Sequence, residues 1–129
     1  MTQTKRIFLA EDDPDDRSFF EDALKALPFQ TVLTIAEDGE ELMTALEETV
    51  PPKPYVIFVD LNMPRMGGLQ FLKEIKQTEI LKNIPVIIYS TSSNPGDIAK
   101  TRELGALSFV TKPSRFSELC NFLQSLITS

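Results

Sequence analysis

Five times along this chain of 129 residues, a short apolar or β-branched run is followed by a polar turn and then by apolar residues at helical spacing. The first run, Arg6–Ala10 (RIFLA), stops at acids. Asp13-Pro14 then supplies a helix N-cap with proline at the first helical position, and Phe20, Ala23, Leu24 and Leu27 recur on one face before Pro28. Thr31–Ala36 leads to a helix carrying Leu42, Ala45 and Leu46, and Tyr55–Val59 leads through a loop from Asp60 to Gly68 to one carrying Leu69, Leu72 and Ile75. Pro85–Tyr89 precedes the polar loop Ser90–Asn94 and a helix over about 95–104, with Gly105 as its C′ residue. Leu107–Thr111 is the last strand, and Phe116, Leu119, Leu123 and Leu126 mark the last helix.

Strands that alternate with helices pair in parallel, because the helices are the crossovers that parallel pairing requires. Val56–Val59 and Val86–Tyr89 are apolar at successive positions, as strands covered on both faces are. This is the α/β class, and in such open sheets ligands bind beyond the carboxyl ends of the strands. The first strand ends at Glu11-Asp12, the third at Asp60, the fourth at Ser90-Thr91 and the fifth at Lys112-Pro113. Carboxylates converging there repel one another unless a cation joins them. A hard oxygen site suits Mg²⁺, which takes one or two carboxylates and keeps several waters. Lys112 supplies a mobile positive charge and Ser90 a hydroxyl. A carboxylate in this setting can itself be the nucleophile, forming an aspartyl-phosphate.

Charge and composition remove other classes. Nineteen acidic against thirteen basic residues give a net −6, with no histidine, and the densest charge cluster is acidic, from Glu11 to Asp16. Direct DNA binding is disfavoured, because phosphate neutralisation needs clustered Lys and Arg. Histidine-based triads and histidine-bound zinc are excluded outright. Cys120 is the lone cysteine, so no internal disulfide is possible and a reducing compartment is expected. The apolar runs fall far below the ~20 residues of a membrane span. The N-terminal residues lack a signal sequence, so the expectation is a cytoplasmic protein.

At these residues the chain resembles the receiver domain of two-component response regulators, over essentially its whole length. Asp60-Leu61-Asn62-Met63-Pro64-Arg65-Met66-Gly67-Gly68 is similar to the family's phosphoacceptor loop, and Glu11-Asp12, Ser90-Thr91 and Lys112-Pro113 match its other motifs. The resemblance implies a flavodoxin-like (βα)5 sandwich with a five-stranded parallel sheet of order 2-1-3-4-5. It implies that Asp60 accepts a phosphoryl group from a sensor histidine kinase or phosphotransfer protein. Asp12, Asp60 and the backbone carbonyl of Asn62 would bind Mg²⁺, with Glu11 reaching it directly or through water. Lys112 would contact the phosphate, and Ser90 and Phe109 would form the switch pair.

Gly67 stands where many relatives carry Asp, and Ser114-Arg115 where many DNA-binding relatives have an aromatic and an acid. Those relatives' dimer contacts therefore do not carry over, and a monomer or weak dimer is expected. The segment 47–54 looks longer than in the shortest receivers, as in single-domain regulators that pair with phytochrome-like or other hybrid kinases. The expectation is a stand-alone domain over 1–129, without an output domain, signalling through a protein contact rather than acting as an enzyme.

Plainer readings stand beside these. Asp13, Asp15 and Asp16 read as charges favoured at a helix start. Ser90 could form a turn, Phe109 could be plain core, and Cys120 reads as a small buried hydrophobe. A flavin carrier needs a phosphate-binding loop after the first strand, where this chain has five acids between Glu11 and Asp16. A phosphohydrolase of the Asp-x-Asp type needs an acid where Asn62 stands. A receiver that binds partners without phosphorylation is the remaining alternative.

Overall fold

Each apolar run is a strand and each periodic segment a helix in the computed structural model, which describes residues 4–91 and 94–128. The order is β1 Lys5–Ala10, α1 Pro14–Lys25, β2 Thr31–Ala36, α2 Gly39–Thr49, β3 Val56–Val59, α3 Gly68–Lys76, β4 Val86–Ser90, α4 Pro95–Glu103, β5 Ser108–Thr111 and α5 Phe116–Thr128. The strands lie in the order β2-β1-β3-β4-β5, all parallel. This is the flavodoxin-like arrangement expected above. Residues 92 and 93 of the Ser90–Asn94 loop, and 1–3 of the N-terminus, lie outside the described residues.

Five strand boundaries shift by a residue, β1 beginning one earlier than expected, at Lys5. Pro85 has no N–H to give the ladder, so it contributes only its carbonyl, to Ile57 N at 2.9 Å, and β4 begins at Val86. At the other end Ser90 belongs to the strand, paired in register with Thr111. β3 and β5 each begin one residue later than expected, at Val56 and Ser108.

The pleat sends alternate residues to two cores. Ile7, Leu9, Val56, Phe58, Ile87 and Tyr89 face α1 and α5, where Phe20, Leu24, Leu119 and Leu123 are buried. Phe8, Ala10, Ile57, Val59, Val86 and Ile88 face α2 and α3, against Leu42, Leu46, Phe71 and Ile75. Both faces being covered explains why the central strands are apolar at every position. Phe20, Phe58 and Tyr89 pack edge to face, with ring centroids 5.0 to 6.1 Å apart.

The ends of the helices follow the sequence signals. Asp13 caps α1 by accepting from Asp15 N at 2.8 Å and Asp16 N at 3.3 Å. Gly105, with φ +95°, takes the left-handed conformation just past α4. α5 departs from its expected face: Phe116 remains exposed, and Leu119, Leu123 and Ile127 are the buried residues. α4 buries Thr101 alone, whose hydroxyl donates to Ile98 O at 3.0 Å. Beside it a cavity of about 180 Å³ opens against β5, lined by Ile98, Thr101, Ala106 and Phe109.

Candidate functional site

The carboxyl ends of the strands extend their backbone ladder into the residues that follow. Glu11 N donates to Ala36 O at 2.9 Å, Asp60 N to Ala10 O at 3.1 Å and Lys112 N to Ser90 O at 2.8 Å. Each of these residues is thereby fixed to the neighbouring strand, and their side chains emerge at one edge. Arg17 braces the β1–α1 connection from the helix, donating to the carbonyls of Glu11 at 3.0 Å and Asp12 at 3.3 Å.

Lys112 is the hub. Its Nζ donates to Asp60 Oδ2 at 2.9 Å and to Asp16 Oδ2 at 2.8 Å, and lies 2.5 Å from Glu11 Oε1. Burial alone would lower its pKa, but the hydrogen bonds to Asp16, Glu11 and Asp60 outweigh burial and raise it, so the ammonium is permanent. Tyr89 offers its ring to the same Nζ, 5.7 Å from the centroid. Burial pushes the Tyr89 phenol up to about 12, against the pull of Lys112.

Glu11 is 1% exposed, and burial is the main reason its pKa rises to about 7, with Lys112 opposing and Asp60 reinforcing the rise. Its Oε1 pairs with Lys112, and its Oε2 accepts from Asp13 N at 3.2 Å. Carboxylate oxygens of Glu11, Asp12 and Asp60 lie within 4.8 Å of one another. Three carboxylates gathered this closely fit a hard divalent cation completed by water.

The loop after Asp60 is held from two sides. Asn62 N donates to Asp60 Oδ1 at 3.3 Å, keeping the carboxylate turned back over its own loop. Gly68 opens α3 directly beneath: a Cβ there would come within 2.8 Å of Asp60 O, so only glycine lets the helix start so close. Arg65 adopts φ 61° and pairs with Asp38, a fully buried residue that caps α2 through Glu41 N at 2.9 Å. Gly67, in the position where Asp is common, is the N-cap of α3 and makes no side-chain capping bond.

The structure therefore brings Glu11, Asp12, Asp60 and Lys112 together and places Ser90 at the end of the strand beside Lys112. Phe109 sits half-buried on the α3 and α4 side of the sheet, one face toward the cavity. Asp13 and Asp15 are helix-start residues as read. Asp16 is a correction: it pairs with Lys112 rather than only with the helix dipole. Its spacing carried a signal, since Asp16, Phe20, Ala23 and Leu24 lie at i, i+4, i+7 and i+8, one inward stripe. Tyr89, which the sequence marks only as part of the fourth strand, sets its ring beside the lysine.

A parallel sheet that gathers a carboxylate, an acidic pair and a lysine at its carboxyl edge defines a phosphoacceptor module of flavodoxin-like fold. The response regulator receiver domain model matches residues 7–124, and the chain belongs to that family. It is 33% identical over 126 residues to response regulator Rcp1 of Synechocystis sp., spanning 95% of this chain and 86% of Rcp1. A protein-glutamate methylesterase/protein-glutamine glutaminase of Myxococcus xanthus is 36% identical over 107 residues, but this chain spans only 29% of that protein. Among solved structures, Mn²⁺-bound Rcp1 superposes with a TM-score of 0.83 at 33% identity, covering 96% of this chain and 92% of that one. The phosphorylated cyanobacterial phytochrome response regulator RcpA superposes at 0.86 and 32% identity, covering 96% and 91%. The protein is thus a two-component receiver domain, a phosphoacceptor signalling module whose phosphoryl source is a histidine kinase pathway. No helix of the described residues is long and apolar enough to cross a membrane.

Proposed function

We propose that Asp60 is the phosphoacceptor, and the observation that carries this is Lys112 Nζ bonded at 2.9 Å to Asp60 Oδ2 beside the acidic pair. An Asp60 carboxylate oxygen attacks phosphorus on the donor phosphohistidine. The new O–P bond forms as the P–N bond breaks, and the imidazole nitrogen keeps the electron pair. Lys112 stands where it can pair with a phosphoryl oxygen as charge develops. Glu11, Asp12, Asp60 and the backbone carbonyl of Asn62 would hold Mg²⁺, which when bound neutralises the carboxylates and the transferring group. That the similar Rcp1 has been solved in a Mn²⁺-bound form supports a divalent cation in this protein.

Ser90 and Phe109 form the switch. The Ser90 hydroxyl moves to donate to a phosphoryl oxygen, and Phe109 turns inward behind it. The sparse packing of α4 and the cavity beside Phe109 support this reading, because the ring has room to move. The output is a changed face of α4, β5 and α5 that a downstream protein reads, without direct DNA binding. The protein works in the cytoplasm as a monomer or weak dimer, receiving its phosphoryl group from a sensor histidine kinase or phosphotransfer protein. It signals rather than catalysing a reaction on a separate substrate.

Intact-mass measurement after incubation with acetyl phosphate tests the assignment. One phosphoryl group should add only with Mg²⁺ present, and Asp60→Asn should take none. Equal labelling of Asp60→Asn, or labelling that ignores chelator, would remove Asp60 from this role.

A further inference from the structure

Asp16 has no part in the nucleophile, metal or switch assignments, yet it accepts a hydrogen bond from Lys112 Nζ at 2.8 Å. Its side chain is 37% exposed, whereas those of Glu11 and Asp60 are 1% and 11% exposed. Asp16 therefore is the more exposed partner of the same lysine, a negative charge held one ammonium away from the Asp60 carboxylate that a phosphodonor must reach. The α1 stripe that it shares with buried Phe20, Ala23 and Leu24 fixes it there. Lys112 has three N–H groups: Asp16 and Asp60 accept from two, and the ammonium is paired with Glu11 besides. Asp16 offers the lysine an anchor and the donor a repulsion, and the repulsion grows with the charge of the donor.

We propose that Asp16 is a specificity-determining residue of the pocket, slowing the entry of phosphodonors in proportion to their negative charge. This rests on Asp60 being the phosphoacceptor. Two small donors separate charge from other effects. From acetyl phosphate, a dianion at neutral pH, the Asp60 oxygen takes the phosphoryl group while the P–O bond breaks and acetate leaves with the electron pair. From phosphoramidate, a monoanion carrying an ammonium nitrogen, the P–N bond breaks and ammonia leaves with the pair.

Initial labelling rates by intact mass, at saturating Mg²⁺ and low salt, provide the test. Asp16→Asn keeps an oxygen acceptor for Lys112 and removes only the charge. It should label faster by about threefold per unit of donor charge, which is about tenfold with acetyl phosphate and about threefold with phosphoramidate. Asp15→Asn, one residue away and exposed, should leave the ratio between donors nearly unchanged. Added salt should narrow the difference between donors in the unaltered protein more than in Asp16→Asn. Equal gains for both donors, a fall for both, or an equal effect of Asp15→Asn would overturn the inference. Labelling that survives in Asp60→Asn would instead defeat the phosphoacceptor reading beneath it, so the two failures are told apart.

Discussion

The ammonium of Lys112, at the end of edge strand β5, lies 2.5 Å from Oε1 of Glu11, at the end of β1, across the ends of the two strands between them. One cation thus ties together carboxylates from β1, α1 and β3. Both partners are nearly buried, Lys112 at 8% and Glu11 at 1% side-chain exposure. Removing the cation leaves the carboxylates uncompensated, which costs far more than losing a surface pair. Lys112→Ala should lower unfolding stability by about 2–4 kcal/mol at neutral pH without metal. Urea unfolding should show added Mg²⁺ restoring more stability to this variant than it adds to the unaltered protein. Unchanged stability of the metal-free variant would mean the carboxylates tolerate one another unaided.

Tyr89 makes stability sensitive to alkali. Its phenol ionises near 10 in the unfolded chain and only at about 12 in the folded protein, since burial disfavours the phenolate. A raised value contributes stability that is complete below pH 10 and is lost as pH climbs from there through about 12. Tyr89→Phe should remove up to about 2–3 kcal/mol of that alkaline loss. The raised Lys112 pKa acts in the same direction, so a residual slope should persist in the variant. Denaturant midpoints between pH 8 and 12 measure this, and parallel curves would refute it.

Asp12 and Asp15 lie three residues apart in the same acidic run, yet only Asp12 shares the oxygen cluster with Glu11 and Asp60. Asp12→Ala should weaken Mg²⁺ binding by at least tenfold, and Asp15→Ala by less than twofold, on the order expected for losing a ligand against losing a screened surface charge. Asp13 would be a poor control because it caps α1. Calorimetric titration with Mg²⁺ reads both variants, and equal weakening would place the metal elsewhere.

Ser90→Ala should still accept a phosphoryl group at Asp60, since nucleophile, lysine and acidic pair remain. It should lose most of the response at α4, β5 and α5. Amide exchange across residues 95–125, with and without beryllofluoride as phosphate analogue, gives the comparison. An undiminished response would take Ser90 out of the switch.

Much of the architecture was legible because each signal was local. Asp13-Pro14 starts α1 and Gly105 follows α4, as cap preferences require. Uninterrupted apolar runs at Val56–Val59 and Val86–Tyr89 identified strands buried on both faces. In α5 the apolar spacing includes Phe116, which is exposed, and misses Ile127, which is buried, because helical spacing alone does not say where a helix leaves the sheet.

The sequence by itself determined that the pair Glu11-Asp12, Asp60 and Lys112 end three different strands and therefore meet at one edge, because parallel strands all point their carboxyl ends the same way. Only the tertiary structure decided which neighbours join them. Asp16 and Tyr89 reach Lys112 through the packing of α1 and β4 against one core, and Asp38 reaches Arg65 across the gap between two loops. These contacts join residues 23 to 96 positions apart, set by helix rotation and side-chain reach, quantities that no periodicity along the chain encodes.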